Sequence, residues 1–311
     1  MMFHRICRIT GVMALALLPA AGVAAQDEAP ARPAGPQPGD LLIDIGATGR
    51  FQFDADVDAG GEFSLNSYAF DLGLRAICTD EFSIGLNVGY TVDDYDFGGS
   101  AGIGAIDPWD DIHTLEVRLD FTCRLNDDWT LFAGPIAVFA RESGAEFDES
   151  DSYGGFFGAS YRASSEVTVG AGLGVMDRLE DDDPRIFPII ILDWRLTPEW
   201  RLTSTSEAMM AGIEAVCTLD ETMEAGLGVG YAFSRFRLDD RDIAPDGIGE
   251  NTALVVQARF SIFPDPDFRI SAVAGVFFDG ELEIEDEDGM RLFKDDYDPA
   301  YYVGGRISVT F

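Results

Sequence analysis

His113 is the one histidine past residue 4, and Asp110 and Asp111 stand just before it. Hydrolytic centres commonly pair His with Ser or Asp. A general base here needs a nucleophile that the spacing does not supply, and alternation places His113 on an apolar face. A histidine set in an aromatic belt is the expectation, and the chain is read as no enzyme. Beyond residue 7 the cysteines are Cys78, Cys123 and Cys217. Their odd number leaves at least one free, and no zinc spacing is present. Cys78 and Cys123 fall on elements two apart, about 9–10 Å at ~4.8 Å per strand, which exceeds the reach of a disulfide. All three are read as small apolar residues. Gly170-Ala171-Gly172-Leu173-Gly174 opens no helix, so it is no nucleotide fingerprint. Two carboxylate runs, Asp181, Asp182, Asp183 and Glu285, Asp286, Glu287, Asp288, offer hard oxygen ligands for a weakly held divalent cation. Residues 285–289 lack EF-hand spacing, and a solvated, self-repelling surface accounts for the same residues. No cofactor is expected.

The elements that must carry these residues follow from composition and period. The 311 residues have a net charge of −35, with 21 basic side chains of which Lys294 is the only lysine. The acidic excess argues against nucleic acid and against docking on an anionic lipid surface through a basic patch, since each needs a basic footprint. Apolar residues at 47% and aromatics at 12% exclude general disorder. No stretch of the body reaches the ~18 apolar residues of a spanning helix.

Residues 1–25 read as a signal peptide: Arg5 and Arg8, an apolar Gly11–Gly22, then a small-residue site at Val23-Ala24-Ala25. Its removal takes Arg5 and Arg8 and no acid, moving the net charge from −35 to −37. Residues 26–40, with Pro30, Pro33, Pro36 and Pro38, are expected to be a disordered periplasmic tail.

From residue 41 to 311 the period is two. Leu115, Val117, Leu119 and Phe121 alternate with Glu116, Arg118, Asp120 and Thr122. Fourteen strands are predicted: 41–54, 63–78, 82–92, 111–125, 129–141, 153–163, 167–177, 185–196, 200–207, 211–219, 222–235, 252–263, 267–278 and 300–311. Short turns alternate with longer acidic loops, and five of these loops (93–110, 142–152, 178–184, 236–251, 279–299) hold 29 acids against five basic residues. The apolar parity carries Phe82, Trp129, Trp200 and Phe268 near the short turns. Near the long loops it carries Tyr90, Phe139, Tyr231, Phe278 and Tyr301. Those are two aromatic girdles. The opposite parity, expected to line a wet lumen, carries Arg50, Arg75, Glu116, Arg118, Asp120, Arg162, Glu214, Arg259, Arg269 and Arg306. A dry core could not hold so many ionisable groups. Glycines of that parity, Gly85, Gly89, Gly170, Gly172, Gly174, Gly226, Gly228 and Gly230, relieve crowding or keep a lane clear for solute.

The last strand ends with Val303, Ile307, Val309 and the terminal Phe311 on one face. Leader, hairpins and this ending together resemble bacterial outer-membrane β-barrel proteins of porin-like type, without a motif for any one family. The resemblance implies an all-β, single-domain antiparallel up-and-down barrel of about 14 strands over 41–311. It implies the outer membrane of a Gram-negative-type bacterium, with outer-membrane lipid, lipopolysaccharide, the barrel-assembly machinery and small solutes as partners. Val303, Ile307, Val309 and Phe311 would form the assembly signal. The function so implied is passive diffusion of small hydrophilic solutes. The alternatives are a hydrophobic-ligand transporter, or an adhesion or envelope barrel working through its acidic loops.

Overall fold

A computed structural model describes residues 36–179, 181–207, 210–240 and 243–311. The expected leader 1–25 and the tail as far as residue 35 lie outside the described residues, as do the side chains of Asp181, Asp182 and Asp183.

Alternation becomes strand wherever it was expected. The strands are β1 (Leu41–Asp56), β2 (Glu62–Ile77), β3 (Phe82–Gly98), β4 (Asp111–Arg124), β5 (Trp129–Glu142), β6 (Asp151–Arg162), β7 (Val167–Arg178) and β8 (Asp181–Arg195). There follow β9 (Trp200–Glu207), β10 (Met210–Asp220), β11 (Met223–Arg237), β12 (Ile248–Asp265), β13 (Phe268–Glu285), β14 (Arg291–Tyr297) and β15 (Ala300–Thr310). Sequence neighbours pair antiparallel, and β1 closes on β15 with Thr48 opposite Arg306. β14 pairs with the outer end of β13 and bridges Val57 through Tyr297, while β15 takes the inner part of β13. Fourteen strands therefore close the barrel, as read from the sequence.

The short turns share a local cause. Thr79, Asn126, Thr197 and Asp220 each accept backbone N–H bonds from residues two or three further on. These side-chain-capped turns reverse the chain in few residues. Three of them deliver Phe82, Trp129 and Trp200 at the first position of the next strand.

Large apolar side chains stand outward and exposed: Tyr68, Phe70, Tyr90, Trp129, Phe157, Leu227, Tyr301 and Ile307 among them. Charged and small polar groups turn inward. In water this would be inverted; in lipid it is the stable arrangement, because the backbone ladder closes on itself and leaves no edge. Cys78, Cys123 and Cys217 are free thiols, exposed or half-buried.

The long connections depart from expectation. Much of 93–110, 236–251 and 279–299 is strand continuing beyond the outer girdle, with one short helix α1 (Ile103–Ile106). These segments are not merely a solvated acidic surface. Their apolar residues converge inside the outer end of the barrel. Phe63, Ile103, Trp109, Phe236, Leu238, Ile248, Leu282 and Ile284 are each 2% exposed or less.

Candidate functional site

The interior divides into levels. On the side near the short turns it is charged and partly wet. Arg118 pairs with Glu116 (3.7 Å) and Asp120 (3.3 Å) along one face of β4. Asn87 donates to Asp120 from the next strand. Arg306 reaches Asp71 at 2.7 Å and Thr48 at 3.0 Å. Arg259, 6% exposed, makes a two-pronged bond to Glu214 at 2.8 and 2.6 Å and a third to Ser261 at 2.6 Å. Arg269 lies close, with its Nε 3.4 Å from Ser261 Oγ. Arg75 is exposed at the turn end, and Arg162 is half-buried there.

Two of these pairs cross an intervening strand over a glycine. The Arg306–Asp71 pair passes over Gly46, where a Cβ would lie 2.6 Å from the guanidinium. The Glu214–Arg259 pair passes over Gly226, where a methyl would collide with the Glu214 carboxylate. Removing the side chain from the middle strand lets charges two strands apart meet. The glycines do relieve crowding, but they do not leave a clear lane. Gly174 lies under Phe187, and Gly158 and Gly172 lie under Phe132. With Phe156, Ile189 and Ile191, these rings form an apolar patch on the inner wall of β5 to β8. Parity arithmetic missed it, because Ile189-Ile190-Ile191 is apolar on both faces.

Above the charged level lies a cavity of about 40 Å³ between Arg50, Gln257, Arg259, Phe277 and Tyr302. Arg50 lies over the rings of Phe277 and Tyr302, at 4.9 and 5.7 Å, and its Nε has no hydrogen-bond partner. Higher still the interior is sealed. Phe63, Tyr95, Phe97, Trp109, Phe236 and Tyr297 pack ring against ring, with centroids 5.0 to 6.5 Å apart. The Tyr95 hydroxyl lies 3.1 Å from Asn251 Nδ2, and the Tyr297 hydroxyl donates to Asn251 Oδ1 at 3.1 Å, so β3, β12 and β14 are tied together through the barrel interior. Arg237 of β11 even bridges by backbone to Arg141 of β5, six strands away. A polar-to-apolar change on the inward parity of β2, from Ser67 to Leu65 and Phe63, was the signal for this seal.

Among the described residues the shortest ladder between neighbouring wall strands is that of β8 and β9, which runs from Asp193–Thr203 to Arg195–Arg201. Beyond that, Ser204 Oγ takes the ladder's place, accepting from Leu192 N at 3.2 Å and donating to Leu192 O at 3.4 Å. Pro184 and Pro188 in β8 have no N–H to donate, which suits an unpaired edge.

Of the carboxylates thought able to hold a cation, two described ones are engaged locally. Glu285 is held by Arg235 at 2.6 Å, and Asp286 Oδ1 caps its own turn. Among the described residues Asp94, Asp110 and Asp111 come together instead. Partial desolvation, then repulsion from Asp111, Asp94, Asp107 and Asp96, raises Asp110 above the usual carboxylate range.

His113 lies on the outward face at the outer girdle, as expected. Its Nδ1 is 2.7 Å from the Tyr90 hydroxyl and its Nε2 is 2.8 Å from Ser143 Oγ. Ser143 is the hydroxyl that spacing could not name; it lies thirty positions away and arrives by the β4–β5 pairing. The group on Nδ1 is a phenol, without the charge of the carboxylate that orients a hydrolytic histidine.

A closed antiparallel barrel, apolar outside and charged within, defines the class: an outer-membrane β-barrel protein. No protein-family model matches the chain, and no curated protein is similar to it in sequence. Among solved structures, an outer-membrane channel from Pseudomonas putida aligns over 93% of this chain and 100% of its own, at 12% identity and a TM-score of 0.46. A Pseudomonas aeruginosa FadL homologue aligns over 87% and 89%, at 13% identity and a TM-score of 0.46. The P. putida toluene transporter TodX aligns over 88% and 90%, at 10% identity and a TM-score of 0.46. These likenesses are of barrel build.

Proposed function

We propose that this chain is an outer-membrane channel for small apolar or amphipathic molecules, which leave the barrel sideways between β8 and β9. The observation that carries this reading is the unpaired β8–β9 edge beside the inner patch of Phe156, Ile189 and Ile191. A straight aqueous path is blocked by the aromatic seal, so permanent passive diffusion of hydrophilic solutes fits less well. An apolar molecule moving through the seal would meet an apolar wall and a backbone edge that can part without breaking a ladder. The exported chain would lose residues 1–25, and the assembly machinery would read Val303, Ile307, Val309 and Phe311.

Diffusion of small hydrophilic solutes is the second reading, favoured by the wet ion pairs of Arg118 and Arg306. One experiment separates the two. In a background with Cys78, Cys123 and Cys217 replaced by Ser, Leu192→Cys with Ser204→Cys would close the gap on oxidation. Entry of N-phenyl-1-naphthylamine into proteoliposomes should stop on oxidation and return with reductant. Entry unaffected by the lock, together with steady ionic conductance in planar bilayers, would reject the lateral route in favour of the hydrophilic one.

A further inference from the structure

A second site lies on the outside of the barrel. Tyr90, Leu115 and Phe139 form one row across β3, β4 and β5 on the outward face. Two residues further out, His113 and Arg141 stand opposite each other in the same register. A strand rises about 3.3 Å per residue, so this polar row lies ~7 Å above the aromatic one. After β5 the chain folds back. Phe147 stacks on Phe139 with centroids 4.7 Å apart, and the Arg141 guanidinium lies 5.9 Å from the Phe147 centroid. An open pocket of about 280 Å³ lies between them, with Ser143 on its rim.

The chemistry of this pocket runs against that of the molecule. In a chain of net charge −35, Arg141 has no carboxylate partner among the described residues; its one bond is from Nη1 to the Ala145 carbonyl, at 2.6 Å. The remaining guanidinium N–H groups, His113 and the Ser143 and Tyr90 hydroxyls ring the same space. Asp94, Asp110 and Asp111 cluster just beyond it and bar an anion from moving outward. Apolar floor, the Arg141 guanidinium and an acidic limit thus follow one another from the membrane toward the medium. That order matches an acyl chain anchored below a phosphate.

We propose that this pocket binds a phosphate of the outer-leaflet glycolipid, lipid A, with Arg141 on the phosphate, His113 holding the Tyr90 and Ser143 hydroxyls beside it, and Phe139, Phe147 and Leu115 on the first carbons of an acyl chain. The proposal rests on the outer-membrane placement given above. Charge-assisted bonds to phosphate are the strongest of the polar contacts available here.

The full mature protein, purified in detergent and given diphosphoryl lipid A, should keep one molecule bound in native mass spectrometry. Arg141→Gln with His113→Gln should reduce the bound fraction tenfold or more, with folding checked by heat-modifiable migration. Retention equal to wild type in the folded double variant would overturn the site, as would equal retention of fully dephosphorylated lipid A. Competition by equimolar inorganic phosphate or phosphatidylethanolamine would overturn the choice of lipid A. Failure of the placement itself reads out separately, as absence of the protein from the outer-membrane fraction.

Discussion

Gly226 is small so that Glu214 and Arg259 can join across it, and the joined pair is nearly sealed from water. A buried pair earns its keep only while both members are present. Glu214→Ala should therefore cost about 3–5 kcal/mol, because it leaves Arg259 charged and unpartnered by its strongest acceptor. Adding Arg259→Leu to Glu214→Ala should recover most of that loss. Unfolding by guanidinium in lipid vesicles, followed by tryptophan fluorescence, measures both. If the double variant is no more stable than the single one, the cost lies elsewhere than in the lone charge. The sequence placed Glu214, Arg259 and Arg306 on one parity, so their facing inward was legible. Their partners were not, since a pair two strands apart depends on register, and parity carries no register. Ser143 was hidden from His113 for the same reason.

The hairpin β13–β14 is held at its outer end by charge. Glu283 is pushed up by burial, but bonds from Arg291 at 2.5 Å and Lys294 at 3.0 Å outweigh this and hold it below the usual carboxylate range. A lowered carboxylate favours the folded state while ionised. The contribution is complete above the ordinary range and lost as pH falls through the lowered value. Backbone amides of residues 281–297 should be equally protected from hydrogen exchange at pH 7 and pH 6 and lose protection near pH 3, with Lys294→Met weakening the effect. Uniform protection across that range would show that packing of Leu282 and Ile284 alone holds the hairpin. The strands of the wall were readable because lipid and interior demand opposite residues at alternate positions. Glu281-Leu282-Glu283-Ile284-Glu285 alternates as cleanly as any of them, yet its acids drew it into a loop. Only the burial of Leu282 and Ile284 in the same apolar cluster as Trp109 gives that alternation an inside. The β8–β9 break was harder to foresee, since Pro188 marks an edge without saying on which side.

At the scale of the whole molecule, most charge sits at one end. Five outer connections carry 29 acids against five basic residues, and three of them supply Tyr95, Trp109, Phe236 and Tyr297 to the aromatic seal. With the seal loosened by Trp109→Ala and Phe236→Ala, any current should be cation-selective in dilute salt and lose that selectivity near 1 M, where the screening length shrinks from about 10 Å to ~3 Å. Reversal potentials across KCl gradients at low and high mean concentration test this; selectivity unchanged between them would place control in the interior wall. The closing pair β1–β15 joins residues 44–52 to 302–310. Thr48 and Arg306 in that seam are 258 positions apart, so a chain holding only one of them has two raw edges and no barrel. Closure therefore waits for both. Until then the chain must travel unpaired, and its heavy negative charge then serves another purpose, keeping unfinished copies apart by mutual repulsion.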